Sequence, residues 1–172
     1  MTHSVGLTGV ASIPAKARDR RILAGRRFLV VDDHPHMIDV ICEILRHFGA
    51  SDSVKAVSAE EALTKCSKRD PFDCVVCDFN MKPINGLQVL QSIRMGTQPH
   101  VARDQPFILL TGHGEIDVVK AAVALDVSAY VVKPVAVDIF LTAVKRALAP
   151  KVTLHAAAHY ETVPLAAVRR FQ

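Results

Sequence analysis

The chain has 172 residues, half of them hydrophobic, and a formal net charge of +4. That length suits one domain with tails, and no stretch approaches the ~20 continuous apolar residues of a membrane span. VGLTGVASIPA near the start is broken by Gly, Thr and Pro, and its basic residues follow it. No secretory signal is therefore expected, and the chain reads as cytoplasmic with no membrane partner.

The charge is unevenly spread. Residues 1–27 carry a net +5, residues 28–150 a net −3 and residues 151–172 a net +2. Residues 1–25 read as a flexible basic extension. Nucleic acid is an unlikely partner, because no aromatic residues or DNA-binding motif interleave the basic ones.

In chain order, Arg27–Val31 is an apolar, β-rich run that ends at Asp32 and Asp33. His36–Phe48 has helical apolar spacing and stops at Gly49. Val54–Val57 is a short strand, and Ser58-Ala-Glu-Glu61 fits a capping box for a helix running to about Arg69. Phe72–Cys77 is a strand ending at Asp78, and Gly86–Arg94 is helical. A long polar loop covers residues 95–106. Phe107–Leu110 is a strand, Ile116–Leu125 a helix, Ser128–Val132 a strand and Val135–Leu148 a final helix.

Strict strand–helix alternation implies an α/β fold, with a parallel sheet covered on both faces. The flavodoxin-like doubly wound (βα)5 arrangement, strand order 2-1-3-4-5, is the common five-stranded solution. Cys74-x-x-Cys77 resembles a metal or redox pair. On a strand, however, positions three apart face opposite ways, so buried structural thiols are expected instead.

In such a sheet all strand C-termini share one rim. That rim collects Asp32, Asp33, Asp78, Thr111 and Lys133. Clustered carboxylates repel one another, and a hard oxygen-seeking cation such as Mg2+ relieves the cost. A strand-end carboxylate beside such a cation is placed to attack a phosphoryl group, with a lysine neutralising charge. Any one of these residues alone would read as a cap or a turn. His34, His36 and His113 raise a transition-metal alternative, but the acids suit Mg2+ better. His155-x-x-x-His159 has helical spacing and no evident third ligand.

FLVVDD, DFNM…NG, LLTG and YVVKP stand in an order and spacing that closely resembles the receiver domain of bacterial two-component response regulators. The single-domain chemotaxis type is the nearest in pattern. The resemblance covers roughly residues 26–149. It implies that Asp78 accepts a phosphoryl group from a sensor histidine kinase or histidine phosphotransfer protein. It implies that Mg2+ is held by Asp33 and Asp78, by Asp32 through water, and by the Asn80 main-chain carbonyl. Thr111 and Lys133 would contact the phosphoryl oxygens, and Thr111 with Tyr130 would form the switch. Lys133–Pro134 would be a cis peptide, and Asn80 with His113 would tune the lifetime of the phosphoryl group.

The resemblance further implies a signalling switch whose helix 4–strand 5–helix 5 face binds a downstream protein target. A phosphorelay shuttle is the alternative. A phosphohydrolase is disfavoured because Asn80 stands where that chemistry wants an acid, so no enzyme beyond self-phosphorylation and dephosphorylation is expected. Lys82 occupies the family's usual proline position, with Pro83 next, and Asn85 replaces a frequent acid before Gly86.

Residues 150–172 are too few for an effector domain, so output by protein contact is expected. There Val152 and Leu154 alternate like a strand edge, and Leu165, Val168 and Phe171 suggest a short amphipathic turn. Packing on the domain, a homodimer through this tail or through the helix 4–strand 5–helix 5 face, and partner binding all stand open. His113→Ala is expected to change the decay rate of the phosphorylated protein without abolishing phosphorylation. A decay curve identical to that of the wild type would sink this expectation.

Overall fold

The computed structural model describes residues 21–66, 71–112, 116–150 and 154–165. Its elements are β1 (Arg27–Val31), α1 (Pro35–His47), β2 (Asp52–Ala56), α2 (Ala59–Cys66), β3 (Cys74–Asp78), α3 (Gly86–Met95), β4 (Phe107–Thr111), α4 (Ile116–Ala124), β5 (Ala129–Val132), α5 (Val137–Leu148) and α6 (Ala157–Glu161). The five strands are parallel in the order β2-β1-β3-β4-β5. This is the flavodoxin-like sheet expected from the alternation.

The continuous apolar runs become the central strands. Every residue of β3 and β4 is buried, as are the last four of β1. The period-2 alternation of a strand divides them between two cores. Leu29, Val31, Val75, Cys77, Phe107 and Leu109 pack toward α2, α3 and α4. Phe28, Val30, Cys74, Val76, Ile108 and Leu110 pack toward α1 and α5. Cys74 and Cys77 therefore lie on opposite faces of the sheet, and no disulfide joins any of the four cysteines, all of which lie among the described residues. The edge strand β5 departs from the two-faced pattern: Ala129 and Val131 point inward, while Tyr130 and Val132 are exposed.

Local chemistry sets the helix starts. Pro35 opens α1, where its fixed φ fits and its missing N–H costs nothing. Ser58 Oγ accepts from the Glu61 N–H at 3.1 Å. The reciprocal arm of that box reaches one residue further back, to the Val57 N–H at 2.8 Å. At α3, Asn85 and Gln88 form a full capping box, with bonds of 3.0 and 2.9 Å. Gly96 ends α3 in the left-handed region at φ 74°, where glycine carries no Cβ penalty.

Leu23, within the expected N-terminal extension, is 1 % exposed and joins the α1 side of the core, its N–H bonded to the Phe48 carbonyl. Residues 1–20 and Arg69 lie outside the described residues. In the tail, Leu154 and Leu165 are in neither strand nor helix, and the helix that forms is α6, between them. Val152, Val168 and Phe171 lie outside the described residues.

α6 docks against α3 within the same chain. Tyr160 is fully buried, and with Val163 it joins the core beneath α3. The Tyr160 hydroxyl donates to Asp126 Oδ2 at 2.7 Å and accepts from the His155 N–H at 3.0 Å. Gln91 Nε2 donates to the Tyr160 carbonyl at 2.7 Å. His155 and His159 stack at 4.2 Å, and His155 Nδ1 pairs with Asp126 at 2.8 Å. The helical histidine spacing thus serves this docking.

Arg94 holds the adjoining loop. It is fully buried and donates to the carbonyls of Arg103, Gln105 and Asp126 at 2.5, 3.1 and 3.1 Å. Burial pulls its guanidinium pKa down to about 10, still charged at neutral pH. Arg103 bonds back to the Arg94 carbonyl at 2.6 Å and onward to the His155 carbonyl at 2.8 Å. The polar loop and the tail are thereby one structure. Truncating a buried aromatic costs about 3–5 kcal/mol, so Tyr160→Ala is expected to lower the urea midpoint by that equivalent. A midpoint within error of wild type would show that the tail docking adds nothing to stability.

Candidate functional site

β1, β3, β4 and β5 deliver their last residues to the same rim. Asp32 follows β1, its N–H bonded to the Ala56 carbonyl at 3.2 Å. Asp78 ends β3, paired in register with Leu110. Thr111 ends β4, and its carbonyl accepts from the Lys133 N–H at 2.7 Å. Asp32, Asp78 and Thr111 are buried, whereas Asp33 is exposed.

One cation joins the two buried acids. Lys133 Nζ lies 2.9 Å from Asp32 Oδ2 and 2.7 Å from Asp78 Oδ1. Burial drags the lysine pKa down, and the Asp78 and Asp32 carboxylates more than offset it, so it sits above the usual lysine value. Burial pushes the Asp78 carboxyl above the usual aspartate range. Lys133 and the Asn80 main-chain N–H pull it back, and the Asp32 charge adds to the rise. The two upward shifts have different origins: the two carboxylates hold Lys133 charged, whereas burial and the neighbouring Asp32 raise Asp78 against the pull of Lys133. With Asp33 beside them the site keeps an excess of negative charge and offers oxygen donors, which fits a hard divalent cation.

The other side chains of the site arrive by different routes. The Thr111 hydroxyl has a long bond of 3.4 Å to the Gly112 carbonyl, which leaves it weakly engaged. Tyr130 is 43 % exposed and pairs in register with Leu109, so it lies on the same face of the sheet as Thr111, two residues along β4 from Leu109. Lys133–Pro134 is a cis peptide, as the motif implies. Asn80 is exposed at the start of the β3–α3 loop. His36 lies exposed on the first turn of α1, and His113 lies outside the described residues.

Three features escape a reading of residue types. Lys82–Pro83 is a second cis peptide, and Phe79 and Met81 are buried on either side of exposed Asn80. Asn85, the replacement for an acid, caps α3, which the Asn-x-x-Gln spacing signals. His34 is the N-cap of α1, and its ring approaches the acids: Nδ1 is 2.7 Å from Asp33 Oδ1 and 3.3 Å from Asp32 Oδ1.

Gly86 carries the closest constraint on the Asp78 position. A Cβ there would collide with the Asp78 main-chain carbonyl oxygen and come within 2.9 Å of Leu109 Cδ1. The absence of a side chain lets α3 sit directly against the end of β3.

Residues 28–145 match the response regulator receiver domain family. The chain is 31 % identical over 108 residues to the chemotaxis protein CheY homolog of Campylobacter jejuni, covering 63 % of this chain and 81 % of that protein. It is 30 % identical over 108 residues to the chemotaxis protein CheY-3 of Vibrio cholerae, covering 63 % of this chain and 80 % of that one. Among solved structures, a response regulator receiver domain protein from Clostridium thermocellum superposes with a TM-score of 0.64 at 27 % identity, covering 72 % of this chain and 94 % of that one.

Two outcomes are expected. Gly86→Ala should destabilise the fold by about 1–3 kcal/mol through overpacking, read from denaturant unfolding; an unchanged midpoint would contradict the close approach. For Asp78, the raised native pKa means that its contribution to stability is complete below the unfolded value of about 3.9 and is lost as pH rises through the native value. Asp78→Asn should therefore exceed the wild type in stability at pH 7 in chelating buffer. The gap should narrow as the pH falls toward 4.5, and a gap that stays constant or widens would be inconsistent with the buried carboxylate.

Proposed function

The chain belongs to the response regulator receiver family, and on that premise we propose that it is a phosphorylation-activated switch with Asp78 as its phosphoacceptor. The observation that carries this reading is the Lys133 bridge between Asp78 and Asp32, set beside the weakly engaged Thr111 hydroxyl. A free Asp78 oxygen attacks the phosphorus of a phosphohistidine on a kinase or phosphotransfer protein. The P–N bond breaks, the imidazole leaves, and an acyl phosphate forms on Asp78. Asp32, Asp33, Asp78 and the Asn80 carbonyl would hold Mg2+, which when bound supplies neutralising charge to the phosphoryl oxygens. Lys133 already stands within ion-pair distance of Asp78 and would transfer to a phosphoryl oxygen. Thr111 would give up its long bond and donate to another.

Phosphorylation adds about −1.5 to −2 charges at the rim. Drawing Thr111 toward that charge vacates space that Tyr130 would fill, which biases an existing equilibrium between outward and inward states. Tyr130 is outward in this structure, on a face where Ile116, Val123, Val132 and Ile139 are also exposed. That apolar surface on α4, β5 and α5 supports output by contact with a downstream protein. It is also the face that a homodimer would use, since the tail's α6 is packed on its own α3. No helix among the described residues is long and apolar enough to cross a membrane.

Intact-mass measurement after incubation with Mg2+ and acetyl phosphate tests the chemistry. The wild type should gain one phosphoryl group, Asp78→Asn none, and Lys133→Ala should gain it more slowly. No gain in the wild type, or an equal gain in Asp78→Asn, would overturn the assignment. Rapid onward transfer to a histidine phosphotransfer protein would replace the switch by the relay.

A further inference from the structure

We propose that the C-terminal segment is a strap on the joint between α4 and β5, and that its grip on Asp126 holds the switch in the arrangement seen here, with Tyr130 exposed. This rests on the reading of the chain as a phosphorylation-activated switch. α4 closes in a double turn: the Asp126 N–H donates to the Val123 carbonyl and the Val127 N–H to the Ala122 carbonyl, both at 3.0 Å. That closure needs a left-handed residue, and Asp126 supplies it at φ 50°. Glycine usually takes this position, because it has no Cβ to clash with the following carbonyl. Here a side chain is kept at a conformational cost, and the tail uses it. Asp126 Oδ2 accepts from the Tyr160 hydroxyl at 2.7 Å and lies 2.8 Å from His155 Nδ1. The Asp126 carbonyl accepts from Arg94 Nη2 at 3.1 Å. One residue therefore ties the end of α4 to α3 and to the tail.

Asp126 stands between the two elements that carry Thr111's response. α4 opens at Ile116, soon after Thr111, and β5 opens at Ala129, one residue before Tyr130. A shift of Thr111 toward a phosphoryl group pulls on α4 from its first turn, while the strap holds it beyond its last. A helix is stiff, so it either draws the held end along or pivots about it. The first path breaks the contacts of Asp126 with Tyr160 and His155. The second disturbs Val118, Ala122 and Leu125, which are buried in the same core as Tyr160. Either way the docked tail favours the unshifted arrangement. It acts as a ligand of one state, and a ligand moves an equilibrium by its differential affinity. Phosphoryl uptake through the shifted state is then slowed by the fraction of molecules held out of it.

The rate of phosphoryl uptake by the full-length chain from acetyl phosphate with Mg2+, followed by intact mass, is the test, with urea unfolding of each variant alongside. Asp126→Gly keeps the left-handed cap and removes the carboxylate. Tyr160→Phe keeps the buried ring and removes the hydroxyl. Each should take up the phosphoryl group about 3–10-fold faster than the wild type. Combining the two should give the rate of Asp126→Gly alone, because both changes sever the same contact. Rates no faster than wild type in variants that unfold cooperatively, or effects that simply multiply, would overturn the strap and leave the switch standing. A wild type that gains no phosphoryl group would overturn the switch reading and the strap with it.

Discussion

One ammonium group between two buried carboxylates governs this rim. Lys133, just after β5, reaches Asp78 at the end of β3 and Asp32 after β1 at once. Breaking a buried ion pair is expensive because the charge left behind has no solvent to turn to. Yet the compensation is incomplete, for one positive charge serves two acids with a third, Asp33, alongside. The remaining negative charge would favour a bound cation. It also leaves Asp78 short of stabilisation, its carboxyl raised by burial and by the Asp32 charge. On the proposed function, stability and reactivity at this rim are therefore opposed.

The loop between β3 and α3 shows how tightly the backbone serves that arrangement. Phe79 and Met81 are driven into the core while Asn80 between them stays exposed. The Gly86 N–H bonds back to the Phe79 carbonyl at 3.1 Å, and the missing side chain lets the two segments touch. Asn85 then closes the helix start with Gln88. The exposed Lys82, which stands in the motif's proline position, sits on a cis bond to Pro83 at the outer bend of this loop. The departures from the commonest motif are thus gathered in one loop, and each has a structural partner or a conformation of its own.

Far from the rim, a second polar network fastens the C-terminal segment. Tyr160, Asp126, Gln91, Arg103 and buried Arg94 join α6, α3, the long loop and the turn before β5. Asp126 stands just ahead of the strand that carries Tyr130 and ends at Val132, next to Lys133. Tyr160 and Val163, beyond α5, are consequently part of the domain's own core. Among the described residues, α6 covers α3 and not the α4–β5–α5 face.

The order of elements, the parallel sheet and the meeting of Asp32, Asp78, Thr111 and Lys133 at one edge were legible in the chain itself. Local rules suffice for them: a buried strand is a continuous apolar run, and the residue that ends it lies at the rim. The two-faced placement of Cys74 and Cys77 follows from the same period of two. What the chain alone could not specify was which side chains meet across elements. Nothing local places α6 on α3, Arg94 among three carbonyls, or the His34 ring against Asp33. Lys133 and Asp32 stand 101 residues apart, and only the assembled sheet brings them within 2.9 Å. Position along a strand is a property of short-range periodicity, whereas partnership is decided by how the packed layers aim their side chains.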